Sequence, residues 1–117
     1  MYSEIFNGNY QIRLGKNKEE NDRIIRTSPQ TALWFHLKDF QSAHAVVTNI
    51  SNVKKSGICI YDKEVIIRAA TLVKENAKIG VNNLHKVSVN YLPIKNVKRT
   101  EIPGQVILTK TPNIVII

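Results

Sequence analysis

Turn residues divide this chain into short apolar runs, and only two of its segments have helical spacing. The first two runs flank Asn7-Gly8, a dipeptide that readily supplies the positive φ angles of a hairpin turn. The run Leu33-Trp34-Phe35-His36-Leu37 is too short for a helix, and a strand is the better interpretation. Further strands are predicted at residues 44–48, 87–91, 105–108 and 114–117. Such a chain must fold around a sheet.

The two helical segments have recognisable starts and stops. Asn17 is a suitable N-cap with Glu20 three residues later, which predicts a helix from Lys18 to Arg26 that ends before Pro29. A second helix is predicted from the N-cap Asp62 through residue 78, closed by the glycine at position 80.

The order of these elements, two strands, a helix, two strands, a helix and then strands, indicates an α+β fold. We predict a largely antiparallel, or mixed, sheet with both helices covering one of its faces. The 117 residues are enough for one compact core, so a single domain over residues 1–117 is expected. Residues 49–57 have the composition of a loop and are expected to be the most mobile segment.

Nothing in the sequence indicates export or a membrane. The longest stretch free of formal charge, residues 40–53, is shorter than the roughly 20 apolar residues that a membrane span requires. The N-terminus lacks the features of a secretory signal, and the single Cys59 cannot form an internal disulfide, so a packing role fits it best. We expect a cytoplasmic, intracellular protein with no membrane partner.

The chain is basic, with 17 Lys and Arg against nine Asp and Glu, a net charge of +8. A hydrophobic fraction of 43% excludes a disordered basic tail. Excess positive charge on a small domain is the footprint of a nucleic-acid binder, although solubility or an acidic partner can also account for it.

The usual signatures of catalysis are missing. The three histidines, His36, His44 and His85, do not have the spacing of a metal-binding set, although a metal-dependent hydrolase built on them is one alternative. There is no Gly-x-Ser-x-Gly motif, and the isolated glycines build neither a P-loop nor a dinucleotide fingerprint. We therefore predict no enzyme, no cofactor and no metal.

Two groups of cations stand out. Arg13, Lys16 and Lys18 surround the predicted start of the first helix, where backbone N–H groups attract phosphate, although Glu19 and Glu20 oppose that attraction. The second group, Lys95, Lys98 and Arg99, is predicted to lie in a rigid exposed loop near two prolines.

Aromatic residues gather in one short stretch, as RNA-stacking platforms require. Trp34, Phe35, His36 and Phe40 lie beside Lys38 in the sequence. Because side chains alternate along a strand, one of Trp34 and Phe35 should face the core and the other could offer a platform.

Residues 34–44 resemble the NFACT-R domain, the RNA-binding module of the NFACT proteins. Further fragments agree in order: Gly15-Lys16-Asn17, Asn21-Asp22, Ala70-Thr71-Leu72-Val73-Lys74, Val89-Asn90-Tyr91-Leu92-Pro93, Asn96-Val97-Lys98-Arg99 and Pro103-Gly104-Gln105-Val106. Where the large family members have Pro-Gly-Ser-His-Val, this chain has Gln41-Ser42-Ala43-His44-Ala45, which is closer to a stand-alone branch whose members continue into a coiled-coil tail. We expect this chain to be the bare domain.

The resemblance implies a non-catalytic module that binds nucleic acid, RNA rather than DNA. Its larger relatives are linked to translation, the ribosome and tRNA. The abundance of Asn and Lys, 12 of each, is typical of AT-rich genomes, such as those of microbes or of large DNA viruses that replicate in a host cell. The alternative is a module whose basic surface docks on a protein or ribosomal partner. The predicted nucleic-acid-binding residues are Arg13, Lys16, Lys18, Trp34, His36, Lys38, His44, Lys95, Lys98 and Arg99.

Overall fold

The computed structural model describes residues 1–51, 61–78 and 80–117, together with the backbone course of two short strands at 54–55 and 58–59. In chain order the elements are β1 Tyr2–Phe6, β2 Tyr10–Gly15, α1 Lys18–Arg26, β3 Leu33–Leu37, β4 His44–Asn49, β5 Lys54–Lys55, β6 Ile58–Cys59, α2 Lys63–Glu75, β7 Ser88–Pro93, the 3₁₀ turn η1 Ile94–Asn96, β8 Val97–Arg99, β9 Val106–Leu108 and β10 Asn113–Ile116.

Six strands form the main sheet in the order β1-β2-β4-β3-β7-β10, and each described pair is antiparallel. Two short hairpins, β5–β6 and β8–β9, form separate two-stranded sheets. The predicted α+β class is confirmed.

The two helices lie on opposite faces of the sheet, so the prediction that both cover one face is wrong. Leu33 and Phe35 of β3 belong to the core cluster that includes α2, whereas Trp34 belongs to the cluster that includes Ile24 and Ile25 of α1. A central strand buried on both faces has a continuous apolar run rather than an alternating one. The run 33–37 has that pattern, whereas we predicted that only one face of this strand is buried.

The N-terminal hairpin is confirmed. Asn7 and Gly8 both have positive φ, 52° and 69°, and the Asn9 N–H donates to the Phe6 carbonyl at 3.2 Å. Tyr10 and Leu14 then point into the core on the α2 side of the sheet.

Helix α1 has the predicted bounds, because the predicted cap forms. The Asn17 side chain accepts from the Glu20 N–H at 2.8 Å, and the Glu20 carboxylate accepts from the Lys16 N–H at 3.0 Å. Helix α2 ends at Glu75, earlier than predicted. Asn76 is its C-cap, and the Asn76 side-chain amide donates to the Leu72 carbonyl at 2.9 Å. A side chain that bonds to the nearby backbone competes with further helix.

The C-terminal part contains elements that were missed. The segment predicted as an exposed loop around Lys95, Lys98 and Arg99 is instead η1 followed by β8, which pairs with β9. Strand β10 pairs with β7 and forms one edge of the main sheet.

Two predictions fall where little is described. The predicted mobile loop begins at Asn49, which belongs to β4, and residues 52–53 and 56–57 lie outside the described residues. The Cys59 side chain lies outside them as well. Neither α1 nor α2, the helices in the described part of the chain, is long and apolar enough to cross a membrane.

Candidate nucleic-acid interface

A cavity of about 490 Å³ opens on the α1 side of the sheet, and its walls come from five parts of the chain. The lining residues are Lys18 and Asn21 of α1, His36 of β3, His44 of β4, Gln41 and Ser42 of the β3–β4 turn, and Pro103, Gly104 and Gln105 of the β8–β9 turn. Because every lining side chain but Pro103 is polar or charged, or is absent in the case of Gly104, we call this the polar cavity.

Strand register brings the two histidines of the cavity together. The β3–β4 ladder pairs Phe35 with Ala45, so His36 and His44 come next to each other at its end. Their ring centroids are 5.0 Å apart and the rings are perpendicular. The Trp34 indole N–H donates to His44 Nδ1 at 3.1 Å, which fixes the orientation of the His44 ring.

Burial keeps both imidazoles neutral at physiological pH. His44 is 4% exposed, and this burial, together with the nearby His36, lowers its pKa to about 3. Burial also lowers the pKa of His36, against an opposing contribution from the Leu37 carbonyl. Since His44 Nδ1 accepts from Trp34, the neutral ring carries its hydrogen on Nε2. His36 Nδ1 lies 2.6 Å from the Leu37 carbonyl, which can only accept, so the neutral His36 ring leaves Nε2 as an acceptor.

Asn21 joins α1 to the histidine strand. Its Oδ1 accepts the His44 backbone N–H at 3.1 Å. The same oxygen would lie 2.3 Å from a Cβ atom at Gly15, so only glycine allows the helix to come this close to β2. The glycine therefore holds one wall of the polar cavity in place.

The β8–β9 turn forms the opposite wall. Gly104 has a φ of 81°, and a Cβ there would lie 3.1 Å from Lys18 Cα. Arg99 at the end of β8 makes a two-pronged ion pair with Asp22 of α1, with distances of 2.9 and 3.2 Å. This pairing raises the pKa of Arg99, and it uses the Asp22 carboxylate to offset the Arg99 charge.

A smaller cavity of about 220 Å³ adjoins the first. The two share Asn21, Gln41 and Ser42, and the smaller one adds Lys16 and Lys78. Three lysines, at positions 16, 18 and 78, therefore border a nearly continuous polar surface.

Of the two helical layers, the α1 side has the larger net charge. Residues 16–28 and 94–108, which form α1 and the β8–β9 hairpin with their flanks, contain seven Lys and Arg against four Asp and Glu. Residues 61–78, which contain α2, have four against three. The larger of these two net charges lies on the same side of the sheet as the polar cavity, and Lys78, which is counted with α2, borders the adjoining cavity.

The structure brings together part of the predicted set. Lys18, His36 and His44 line the polar cavity, and Lys16 lines its neighbour. Lys38, Lys95 and Lys98 are exposed but line neither cavity. Lys38 lies in the β3–β4 turn, and the other two lie in η1 and β8.

Two predicted residues lie elsewhere than expected. Arg13 runs to the C-terminal end of α1, where its guanidinium donates to the Thr27 hydroxyl at 3.0 Å and the Ile24 carbonyl at 3.3 Å, and burial lowers its pKa. Trp34 is 3% exposed, and Phe35 is fully buried on the other face, so neither ring is available to stack on a base. The expected platform at Trp34 or Phe35 is wrong because both faces of β3 are covered.

The prediction missed several residues that the structure places at the site. Asn21, Gln41 and Gln105 line the polar cavity, whereas Phe40, the sequence neighbour of Gln41, lines neither cavity and is 40% exposed. The cluster of aromatic residues pointed to Phe40. No local pattern indicated that the turn at 103–105 would meet β3, because that contact depends on the β8–β9 hairpin.

The residues described give no support to a metal site. Among them, no three His, Cys, Asp or Glu side chains lie close enough together to hold a metal ion. His85 is exposed in the segment between α2 and β7 and lines neither cavity.

An antiparallel sheet with one helix on each face, and a polar cavity on the α1 side, defines a small α+β domain with a net positive charge. The chain belongs to the family described as the NFACT protein RNA binding domain, which matches residues 2–111. The family predicted from residues 34–44 is confirmed.

Curated relatives agree with the predicted branch. The chain is 34% identical over 98 residues to coiled-coil domain-containing protein 25 of Mus musculus and of Bos taurus, and 32% identical over 91 residues to that of Danio rerio. The first two alignments cover 84% of this chain and 45% of the relative, and the third covers 78% and 42%. The chain thus spans less than half the length of the curated relatives it matches.

A solved structure has the same fold. The C-terminal part of the fibronectin/fibrinogen-binding protein from Streptococcus suis superposes with a TM-score of 0.79 at 24% identity. The match covers 98% of this chain and 43% of the other. This likeness concerns the fold alone.

Proposed function

We propose that this domain binds RNA without catalysing a reaction, through the basic surface around the polar cavity. The observation that carries the proposal is the position of that cavity. In a chain of an RNA-binding family, it lies on the side of the sheet whose helix and hairpin carry the larger net positive charge. Free cations near a polar recess can bind phosphates while the recess contacts bases or sugars.

The exposed lysines are the phosphate-binding groups in this proposal. Five lysines are exposed and form no ion pair with any residue that the structure describes: Lys16, Lys18, Lys38, Lys95 and Lys98. Arg99 contributes less to phosphate binding, since its charge is already paired with Asp22. Arg13 contributes less as well, because its guanidinium binds the C-terminal end of α1. Phe40 is the exposed aromatic residue of the 34–40 stretch and takes the stacking role that was expected of Trp34.

The cellular setting is part of the proposal. We infer RNA rather than DNA as the ligand, with ribosomal RNA and tRNA as the first candidates, and the cytoplasm as the location. Support for RNA comes from the family, and support for translation comes from the resemblance to larger family members.

Charge reversal on each side of the sheet tests the proposal. Lys18 and Lys63 are both exposed and both begin a helix, α1 and α2 respectively, but they lie on opposite faces. Binding of a fluorescent single-stranded RNA would be measured at several salt concentrations for Lys18→Glu, Lys98→Glu and the matched control Lys63→Glu. We expect the first two to weaken binding and to reduce the salt slope by about 0.7 each, the value for one lost phosphate contact.

The control decides how the result is interpreted. Lys63→Glu changes the net charge by the same amount and should leave the slope unchanged. Equal losses in all three variants would mean that net charge alone attracts the RNA, and the assignment to this surface would be rejected.

One observation favours a docking function as the second candidate. Ile102 and Ile107 are 59% and 54% exposed on the β8–β9 hairpin, and Ile107 pairs across the hairpin with Lys98. Cations next to exposed apolar side chains are also suited to a protein partner. A partner that the domain retains after nuclease digestion, and loses on Ile107→Ser, would favour docking over RNA binding.

A further inference from the structure

We propose that the polar cavity holds one unpaired base of a single-stranded RNA, so that the domain selects splayed nucleotides over duplex. This inference rests on the proposed function and adds the part of the ligand that the cavity recognises.

The size and chemistry of the cavity fit a base better than a phosphate. A volume of about 490 Å³ is within the range of small-molecule sites and is large enough for one nucleotide. Its floor is formed by His36 and His44, and burial lowers the pKa of both, so the floor carries no positive charge at neutral pH. A neutral, polar floor suits the hydrogen-bonding edge of a base.

The floor of the polar cavity offers one hydrogen-bond donor and one acceptor. His44 Nε2 carries a hydrogen and His36 Nε2 is an acceptor, because the Nδ1 atoms are committed to Trp34 and to the Leu37 carbonyl respectively. In the described part of the chain, neither Nε2 atom has a hydrogen-bond partner. Base edges present donors and acceptors side by side, and such a pair can match them.

The stacking geometry continues from the core towards the cavity. The His36 ring lies parallel to the Trp34 indole, with an interplanar angle of 5° and a centroid distance of 5.7 Å. Trp34 thus covers one side of the imidazole, while His36 remains half-buried and lines the cavity. A base placed against the other face of His36 would extend this stack.

Cations at the rim of the polar cavity are placed to bind the phosphates of the same nucleotide. Lys18 lines the polar cavity, and Lys16 lines the adjoining one. The base would lie on the neutral floor and the backbone would pass the lysines at the rim, which is the usual arrangement of single-strand sites.

The test compares three probes of equal length with the unmodified protein. The probes are a single-stranded octanucleotide RNA, an abasic octanucleotide with the same phosphates, and the octanucleotide annealed to its complement. Affinity is measured by anisotropy at a salt concentration high enough to suppress most phosphate binding. We expect the single strand to bind about tenfold more tightly than the abasic probe, as for one stacked base, and more tightly than the duplex.

Variants then locate the difference in the cavity. His44→Asn keeps an acceptor for Trp34 and removes Nε2, and it should bring the single strand to within about twofold of the abasic probe. His85→Asn, the matched change at an exposed histidine outside the cavity, should leave the tenfold preference intact. Gln41→Ala, at an exposed lining position, gives a second reading should His44→Asn fail to fold.

The outcomes separate this inference from the proposed function. If the single strand and the abasic probe bind equally well, the base does not enter the cavity, and the inference is overturned while RNA binding stands. If none of the probes binds even at low salt, the proposed function itself fails. A preference for bases that survives both His44→Asn and Gln41→Ala would place the base elsewhere and would also overturn the inference.

Discussion

His44 shows how a polar residue can be part of a core and of a site at the same time. Its backbone N–H donates to Asn21, its Nδ1 accepts from Trp34, and its side chain lines the polar cavity. The position therefore requires a neutral imidazole, and that requirement has a measurable cost at low pH.

Acidification should destabilise the fold through His44. Its pKa falls from an ordinary value of 6.5 to about 3 on folding, so below pH 6.5 the unfolded chain binds a proton that the folded chain does not. The free energy of unfolding should then decrease as the pH falls, by up to about 1.4 kcal/mol per pH unit. Urea denaturation between pH 7 and 5 measures this slope, above the range in which carboxylates titrate.

His44→Asn is the matching variant for that slope. It keeps the bond from Trp34 but does not titrate, so its stability should depend less steeply on pH than that of the unmodified protein. His36, whose pKa burial also lowers, accounts for the slope that remains. Equal slopes in the two proteins would show that His44 does not stay neutral in the folded state.

Phe40 is the residue on which the stacking role now depends. Phe40→Ala should weaken binding of a single-stranded RNA by about tenfold, the loss of one stacked base, with little change in stability because the ring is 40% exposed. Ile67→Ala is the control, since Ile67 on α2 is 39% exposed and lies on the side of the sheet opposite α1. Similar losses in both variants would argue against stacking at Phe40.

At the scale of elements, the β8–β9 hairpin completes the cavity by packing on α1. Gly104 makes that approach possible, and the ion pair of Arg99 with Asp22 adds to it. The ion pair is partly exposed, and screening by solvent weakens such pairs. Close packing at Gly104 is therefore the stronger determinant of where the wall stands.

Gly104→Ala should displace this wall. The new Cβ would combine a positive φ with a 3.1 Å approach to Lys18 Cα, at a cost of about 1–3 kcal/mol in unfolding free energy. Gly8→Ala is the control, because Gly8 also has positive φ but has no atom within 4 Å of the added Cβ. Denaturation should show a larger loss for Gly104→Ala, and RNA affinity should fall in that variant alone.

At the scale of the whole molecule, the net charge is +8, and the layer that contains α1 and the β8–β9 hairpin carries more of it than the layer that contains α2. If about four cations contact a single strand, the logarithm of the binding constant should fall with the logarithm of salt concentration at a slope near roughly −3. Titrations from low to moderate salt measure the slope. A flat response would contradict binding through this surface.

Much of the fold could be predicted from local pattern. Asn7-Gly8 and the Asn17–Glu20 pair determine a turn and a helix start through bonds between near neighbours, and both form as expected. The end of α2 was misplaced, because the Asn76 side chain competes with the helix before the glycine is reached. The strand at residues 97–99 was missed, since its three residues depend on pairing with β9.

The site was predictable only in part. Lys18, His36 and His44 could be selected from residue type and family resemblance, and the cavity contains all three. The surface positions predicted for Trp34 and Arg13 were wrong, because α1 packs over Trp34 and its C-terminal end binds the Arg13 guanidinium.

The sequence by itself determined the α+β class, the family, most element boundaries and the excess of positive charge, because these depend on composition and on interactions between residues close together in the chain. Tertiary structure alone decided that the helices take opposite faces, and that the turn at 103–105 lines one cavity with His36 and Lys18, more than 60 residues away in the chain. Burial on the second face of the sheet is a long-range property. Because of this burial, Trp34 is not a surface platform, and its indole N–H instead holds His44 in the wall of the polar cavity.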